Sequence, residues 1–225
     1  MEDLKPESHY EYIVDTREAI VGNKRLAIQV MDQISDGWCT HKKASILIDI
    51  ILAMKPKVIV EIGVWGGKSL VPMAFTLKMC EKGKIYGIDP WSNLASAEGV
   101  MHEGSRTFWM TVDHEDIMKK LIDHIERLQL EDQIELIRAT SLDAPPISNI
   151  DLLHIDGNHS DETSYIDVTK WVPLVRSGGF IIFDDMNWTE NGMSTTRRAI
   201  EYLNQHCHKL AEIDDVCLWG IWHKP

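Results

Sequence analysis

The sequence predicts a doubly wound α/β fold: a mostly parallel sheet covered by helices, with an α-helical cap at its N-terminal end. Three observations carry this reading. From Val58 onward, short apolar segments alternate with segments of helical periodicity, the pattern of crossover units. The first apolar segment runs through a glycine turn into a helix, VIVEIGVWGGKSL. Two later ones, DLLHI and GFIIF, end in carboxylates, Asp156 and the pair Asp184–Asp185, with one helix between them. In a parallel open sheet such strands lie side by side or nearly so, and their carboxyl ends open onto one crevice.

Residues 1–55 read as the cap. Ile28, Met31 and Ile34, then Ile46, Ile50 and Met54, recur at helical spacing, separated by the turn DGWCTHKK with Gly37. Residues 56–225 read as the α/β core. Its strands are VIVEI, KIYGI, QIELIRA, DLLHI, GFIIF and a final VCLWGIW, antiparallel if the chain returns through a tight loop. Helices are expected over 68–80, 113–130, 160–175 and 194–206, with Ile117, Leu121 and Ile125 on one face of the second. There is no repeat and no linker rich in Pro, Gly or Ser, so the 225 residues are expected to form a single domain.

Composition narrows the partners. A net charge of −12 without any Lys/Arg run argues against nucleic acid and anionic membrane surfaces. The opening MEDLKPESHYEY is polar and acidic, unlike a secretory signal, and the longest apolar stretch, 44–54, carries Asp49 and is too short to span a bilayer. Cys39, Cys80, Cys207 and Cys217 show no C-x-x-C spacing, which favours reduced thiols and a cytoplasmic location.

The chemistry gathers at the strand ends. The turn after VIVEI has the spacing E-x-G-x-x-G-G, neither a dinucleotide fingerprint nor a P-loop. Glu61 before the first glycine suits a ligand carrying an ammonium group, such as an amino-acid head, with Gly63 and Ser69 completing the cradle. The bland alternative is the glycine turn that any α/β protein needs. Asp89 ends the next strand, where doubly wound proteins place a ribose-binding carboxylate, and Trp91 is placed along an adenine ring. An Asp-Pro turn with a core tryptophan would read the same. Ser141 in RATSLD falls at the adenine edge.

Three converging aspartates, Asp156, Asp184 and Asp185, cannot all stay charged unaided, and a hard divalent cation resolves the conflict. His154 and Asp156 also spell H-x-D, which with another histidine would make the facial triad of a non-haem iron oxygenase. Such triads usually sit on all-β folds, and His154 lies within a buried strand, so it reads as a core histidine. Trp38, Trp65, Trp91, Trp109 and Trp188 fall near loops at the site end, whereas Trp171, Trp219 and Trp222 read as core or edge packing. Aromatic walls suit a flat or sugar-like acceptor.

On these motifs residues 37–188, and more loosely the whole chain, resemble the class I S-adenosylmethionine-dependent methyltransferases of the divalent-metal-dependent O-methyltransferase type. The chain is similar to catechol O-methyltransferases and closer to bacterial natural-product sugar O-methyltransferases, which share the segment H-I-D-G-x-H. The resemblance implies a seven-stranded Rossmann-like sheet and S-adenosylmethionine held by Glu61, Gly63, Ser69, Asp89, Trp91, Ser141 and Asp156. It implies Mg²⁺ (or Mn²⁺) on Asp156, Asp184 and Asp185, and His159, three residues after the first ligand, as general base. The acceptor would be a small-molecule hydroxyl: sugar-like, natural-product or vicinal diol. Relatives commonly assemble as homo-oligomers through their N-terminal helices. His159 also reads as a turn residue capping the helix that begins near Ser160, and a catalytically inactive cofactor-binding protein is the third class, disfavoured because every expected polar position is filled.

Overall fold

The structure, a computed structural model, describes residues 20–225. The polar segment that argued against a secretory signal lies outside the described residues. Helix α1 covers residues 20–31 and α2 His41–Met54. In chain order there follow β1 (Val58–Ile62), α3 (Leu70–Met79), β2 (Lys84–Asp89), α4 (Asn93–Ser96), α5 (Glu103–Thr111), α6 (His114–Leu128), β3 (Ile134–Arg138) and β4 (Ile150–Ile155). The rest are α7 (Asp161–Trp171) with a 3₁₀ turn (Val172–Leu174), β5 (Val175–Phe183), β6 (Thr189–Glu190), β7 (Met193–Ser194), α8 (Arg197–His206), β8 (His208–Asp214) and β9 (Leu218–His223).

Seven strands form one sheet in the order β3-β2-β1-β4-β5-β9-β8, and β6 pairs with β7 in a separate ribbon. The five strands β1 to β5 are parallel, and β9 runs antiparallel to both β5 and β8. The sheet is the seven-stranded, mostly parallel one expected. The order reverses at β1, whose neighbours are β2 on one side and β4 on the other. That is the topological switch point, where open α/β sheets bind ligands beyond the carboxyl ends of the strands.

Sequence explains most of these elements directly. Every residue of β4 is buried, because helices cover both faces of a central parallel strand and leave no solvent side for polar residues. In α6 the side chains of Ile117, Leu121 and Ile125 form the buried stripe, and Asp113 caps its first turn by accepting from Asp116 N at 3.0 Å. Ser160 caps α7 by accepting from Thr163 N. VCLWGIW returns antiparallel after a tight connection, in which Asp215 N donates to Cys217 O at 3.2 Å.

Four elements differ from expectation. Strand β8 falls where no element was expected: it is an edge strand with mostly exposed side chains, so it lacks an apolar run. Helices α4 and α5 fill residues for which no element was expected; neither buries a residue, so no stripe marks them. In α2 the buried face is Lys43, Ala44, Leu47, Ile48 and Ile51, one step around from the Ile46–Ile50–Met54 face. Leu47 and Ile51 share a core with Ile59, Leu70 and Leu121, so α2 is packed into the α/β body rather than laid over it.

Candidate active site

The main cavity opens at the switch point. Gly63, Asp89, Ser141, Asp156 and His159 all line it. Parallel pairing brings them together: Gly63 N donates to Ile88 O at 2.9 Å and Asp156 N to Ile62 O at 2.8 Å, so the chain ends of β1, β2 and β4 stay in register past the last strand residues. Gly63 has φ +83°, and a Cβ there would stand 2.0 Å from the Asp156 carbonyl oxygen. Only glycine fits where the two strand ends close on each other.

Asp89 is 8% exposed and accepts three backbone N–H bonds, from Val64 (3.0 Å) and Trp65 (2.9 Å) on one oxygen and from Trp91 (2.7 Å) on the other. It therefore clamps the glycine turn to β2 while still bordering the cavity. Burial pushes its pKa up against those three bonds, which favour the carboxylate. Trp91 is not brought to the cavity. It is 1% exposed in the core, and its indole N–H donates to Trp65 O at 3.0 Å. The backbone turn that hands its amide to Asp89 leaves the ring in the core.

Glu61 and Ser69 also sit behind the cavity wall rather than on it. Glu61 is fully buried, and the Ser69 hydroxyl donates to its Oε1 in place of capping α3. Oε2 of Glu61 has no partner. In the β1–β4 register Glu61 stands beside His154, whose Nδ1 lies 2.8 Å from Glu61 Oε1 and whose Nε2 lies 2.9 Å from Asp184 Oδ2. Both ring nitrogens are engaged, so His154 is the bonded core histidine expected. Burial and Lys43 oppose its charged form, but Asp184 and Glu61 raise its pKa to about 9.

Lys43 completes this network and was not singled out from sequence. Thr40 caps α2 by accepting from Lys43 N, which sets Lys43 on the first turn with its side chain on the buried face. Its ammonium reaches Asp156 Oδ2 at 2.9 Å and also bonds Asp184 Oδ2. Burial opposes its charge, but the two carboxylates raise its pKa well above the ordinary value. Asp184 is the ionised partner: against burial, Lys43 and His154 hold its pKa far below the usual range. Asp156 is pushed up by burial and by the charge on Asp184.

The three aspartates do not form one set. Among the described residues, potential ligand atoms lie within 4.8 Å of one another in two groups, His154–Asp156–Asp184 and Asp156–His159–Asp185. Asp156 belongs to both. Consecutive residues at a strand end point to opposite sides, and Asp185, at φ +50°, turns toward the cavity to meet His159 Nε2 at 2.9 Å while Asp184 turns inward. Burial opposes the charged form of His159, but the hydrogen bond and charge of Asp185 raise its pKa above the ordinary value. One buried oxygen, Asp184 Oδ1, has no partner.

Aromatic rings form the outer wall. Trp38, Trp65, Trp109 and Trp188 line the cavity. Trp38 stacks on Trp65 at 5.8 Å, Trp109 meets Trp65 edge-on at 5.3 Å, and Trp188 lies 4.9 Å from the His159 ring. Trp171, Trp219 and Trp222 are fully buried, as expected. The β6–β7 ribbon brings a residue not foreseen, Glu190, which accepts from the Trp188 indole N–H and from His102 N and so ties the ribbon to the start of α5.

A family model described as a methyltransferase domain matches residues 60–186, more than half of the chain and every strand end described above. The chain belongs to this family. Its fold is that of solved methyltransferases at low sequence identity. An O-methyltransferase of Bacillus cereus, solved with S-adenosylhomocysteine, superposes with a TM-score of 0.61 at 17% identity over 90% of this chain and 91% of that one. The O-methyltransferase TomG of Streptomyces achromogenes, involved in tomaymycin synthesis and solved with S-adenosylmethionine, superposes with 0.60 at 15% identity over 90% and 89%. An uncharacterised protein of Acanthamoeba polyphaga mimivirus is 29% identical over 144 residues, a match that covers 63% of this chain but only 58% of its own length. Within the described residues no helix is long and apolar enough to cross a membrane, and the four cysteines are unpaired.

Proposed function

We propose that this methyltransferase transfers the methyl group of S-adenosylmethionine to a hydroxyl of a small molecule, and that it does so with a divalent cation at the ends of β4 and β5. One observation carries the reading: His159, held by Asp185, faces the same cavity as Gly63, Asp89 and Ser141. A proton acceptor and the strand ends expected to grip the cofactor thus share one chamber. The two O-methyltransferase structures, each solved with the cofactor or its demethylated product, support oxygen as the acceptor atom.

The donor set suits a hard cation such as Mg²⁺ or Mn²⁺. Asp156 borders the cavity, Asp185 lies beside it on His159, and Asp184 Oδ1 is a buried carboxylate oxygen without a partner. Asp156, which belongs to both groups, would be the shared ligand, with Asp184 on one side of it and Asp185 on the other. Bound there, the cation supplies a Lewis acid that lowers the pKa of the acceptor hydroxyl. The remaining work falls to side chains. Lys43 neutralises the inner oxygens of Asp156 and Asp184. Asp185 orients the imidazole of His159 through Nε2, which leaves Nδ1 to take the hydroxyl proton. Asp89 fixes the glycine turn, and the tryptophan wall excludes water and positions a flat acceptor, so that oxygen and sulfonium methyl meet in line. Glu61 acts from behind the wall, its unpartnered Oε2 suiting an ammonium that reaches past the turn.

The test is direct. Calorimetry should show binding of S-adenosylhomocysteine, and labelled methyl from S-adenosylmethionine should appear on a hydroxylated acceptor. EDTA should abolish transfer and Mg²⁺ restore it. Full turnover after exhaustive chelation would leave a metal-free methyltransferase, and failure to bind either nucleoside would sink the cofactor reading.

A further inference from the structure

Asp167 is a buried carboxylic acid that none of the roles above uses. It lies in the second turn of α7, is 1% exposed, and lines the cavity. Its Oδ1 is buried with no hydrogen-bond partner. Lys170, one turn further along the helix, is occupied elsewhere, donating to the carbonyls of Ser141, Leu142 and Ala144 at 2.6–2.8 Å. The fold leaves room for Asp167 on purpose: a Cβ on Gly157 would stand 3.3 Å from Oδ2 and 3.3 Å from Ile62 Cγ2. An unpartnered buried acceptor costs about 1–3 kcal/mol, so one left on a cavity wall points to a ligand donor that satisfies it.

The position limits what that donor is. Asp89 at the end of β2 is the ribose-side acid, and the base of a nucleoside bound across the switch point extends from there toward the loop after β3. Ser141 is in that loop and lines the cavity. Pro90, Thr140 and Gly157 border the same stretch of cavity. Apolar and small groups there accept a flat base, and Asp167 stands at its far edge as the one acid on α7 that lines the cavity.

We infer that Asp167 is the cofactor-specificity residue of this enzyme: its unpartnered oxygen accepts a hydrogen bond from the 6-amino group of adenine, so that the site selects adenine against a 6-oxo purine. The inference rests on the cofactor reading above and deepens it. Ionised, above about pH 7, the carboxylate is satisfied by an amino group, whereas facing the carbonyl of hypoxanthine it meets a second acceptor and stays orphaned, so the compounds are compared at about pH 8.5. Sites built to hydrogen-bond a ligand group reject the analogue that lacks it far more strongly than apolar pockets reject a change of size.

The experiment compares S-adenosylhomocysteine, S-inosylhomocysteine and the purine analogue lacking any 6-substituent, by calorimetry on the full-length protein. Wild type should prefer the adenine compound to the inosine one by roughly 30-fold or more, and the unsubstituted purine should bind about 10-fold or more weaker than adenine, the usual range for losing a hydrogen bond to a charged group. Asp167→Asn, whose amide can donate to a 6-oxo group, should bring the adenine-to-inosine ratio to within about threefold, mainly by improving inosine. If Asp167→Asn does not fold, the unsubstituted purine decides on the wild-type protein alone. Equal affinity of wild type for adenine and purine, or an unchanged ratio in a folded Asp167→Asn, would overturn the assignment while leaving the cofactor reading intact. Absence of S-adenosylhomocysteine binding to wild type would remove both.

Discussion

Lys43→Met tests the ion network at the strand ends. Methionine keeps the length of the side chain and removes the ammonium that binds both Asp156 and Asp184. Removing one partner of a buried ion pair costs about 3–5 kcal/mol, because the other charge is left uncompensated. Lys43 and Asp184 are 4% and 2% exposed, so little solvent screening applies to that contact. Asp156 keeps 30% of its side chain exposed and its pKa is already raised, so it relieves part of the strain by taking a proton. The expected loss is therefore near the lower bound, about 3 kcal/mol at pH 8. Losing the cation raises the carboxylate pKa values further, so the variant binds more protons and its deficit should shrink as pH falls from 8 to 5. Urea unfolding followed by circular dichroism, in EDTA, measures both. Millimolar Mg²⁺ should recover part of the deficit by binding the folded state. A loss below about 1 kcal/mol, or a deficit that does not vary with pH, would refute the reasoning.

Three further outcomes are expected. Asp89→Ala removes the acceptor of three backbone amides and should weaken S-adenosylhomocysteine by about 1–3 kcal/mol while lowering thermal stability; unchanged affinity in calorimetry would take Asp89 out of the cofactor site. His159→Ala should lower turnover by about two to four orders of magnitude with cofactor affinity unmoved, and a variant with near-normal turnover would leave His159 a turn residue. Asp167 has its pKa pushed up by burial to about 7, so its contribution to stability is full below the ordinary 3.8 and is lost as pH rises through 7. Asp167→Asn should therefore gain on wild type between pH 5 and 8, by about 2–3 kcal/mol, in denaturant titrations without ligand; parallel curves would show that the carboxyl is not charged at cost.

Much of this was legible in sequence, for a physical reason. Central parallel strands are covered on both faces, so β1, β2, β4 and β5 are rich in buried apolar residues and carboxylates stand out where each strand meets the crevice. Glu61, Asp89, Asp156, Asp184 and Asp185 stand out for that reason alone. What stayed hidden lacks the contrast. Strand β8 has one neighbour and a mostly solvated surface, and α5 packs its Phe108 and Trp109 into a partly exposed aromatic cluster rather than a core. Trp91 shows the opposite failure, since a tryptophan after an Asp-Pro turn reads the same whether its ring faces a ligand or the core. Lys43 left a trace that can be read: Lys43, Leu47 and Ile51 fall four residues apart on one helical stripe, while Lys42 is exposed. A lysine in an apolar stripe signals an acid waiting across the interface. The splitting of the three aspartates left no such trace, because it depends on the left-handed backbone at Asp185.

The tryptophan wall has a practical consequence. Four indoles border the cavity and four others are buried in the protein body, where they emit from a constant apolar environment. Trp38 is 65% exposed and couples to Trp65 and Trp109 within about 6 Å. Occupancy of the chamber therefore changes the surroundings of one set of emitters and leaves the other as an internal reference. The molecule carries its own optical gauge, a ratio of red-edge to blue-edge emission, with which candidate acceptors can be screened unlabelled before any product is known.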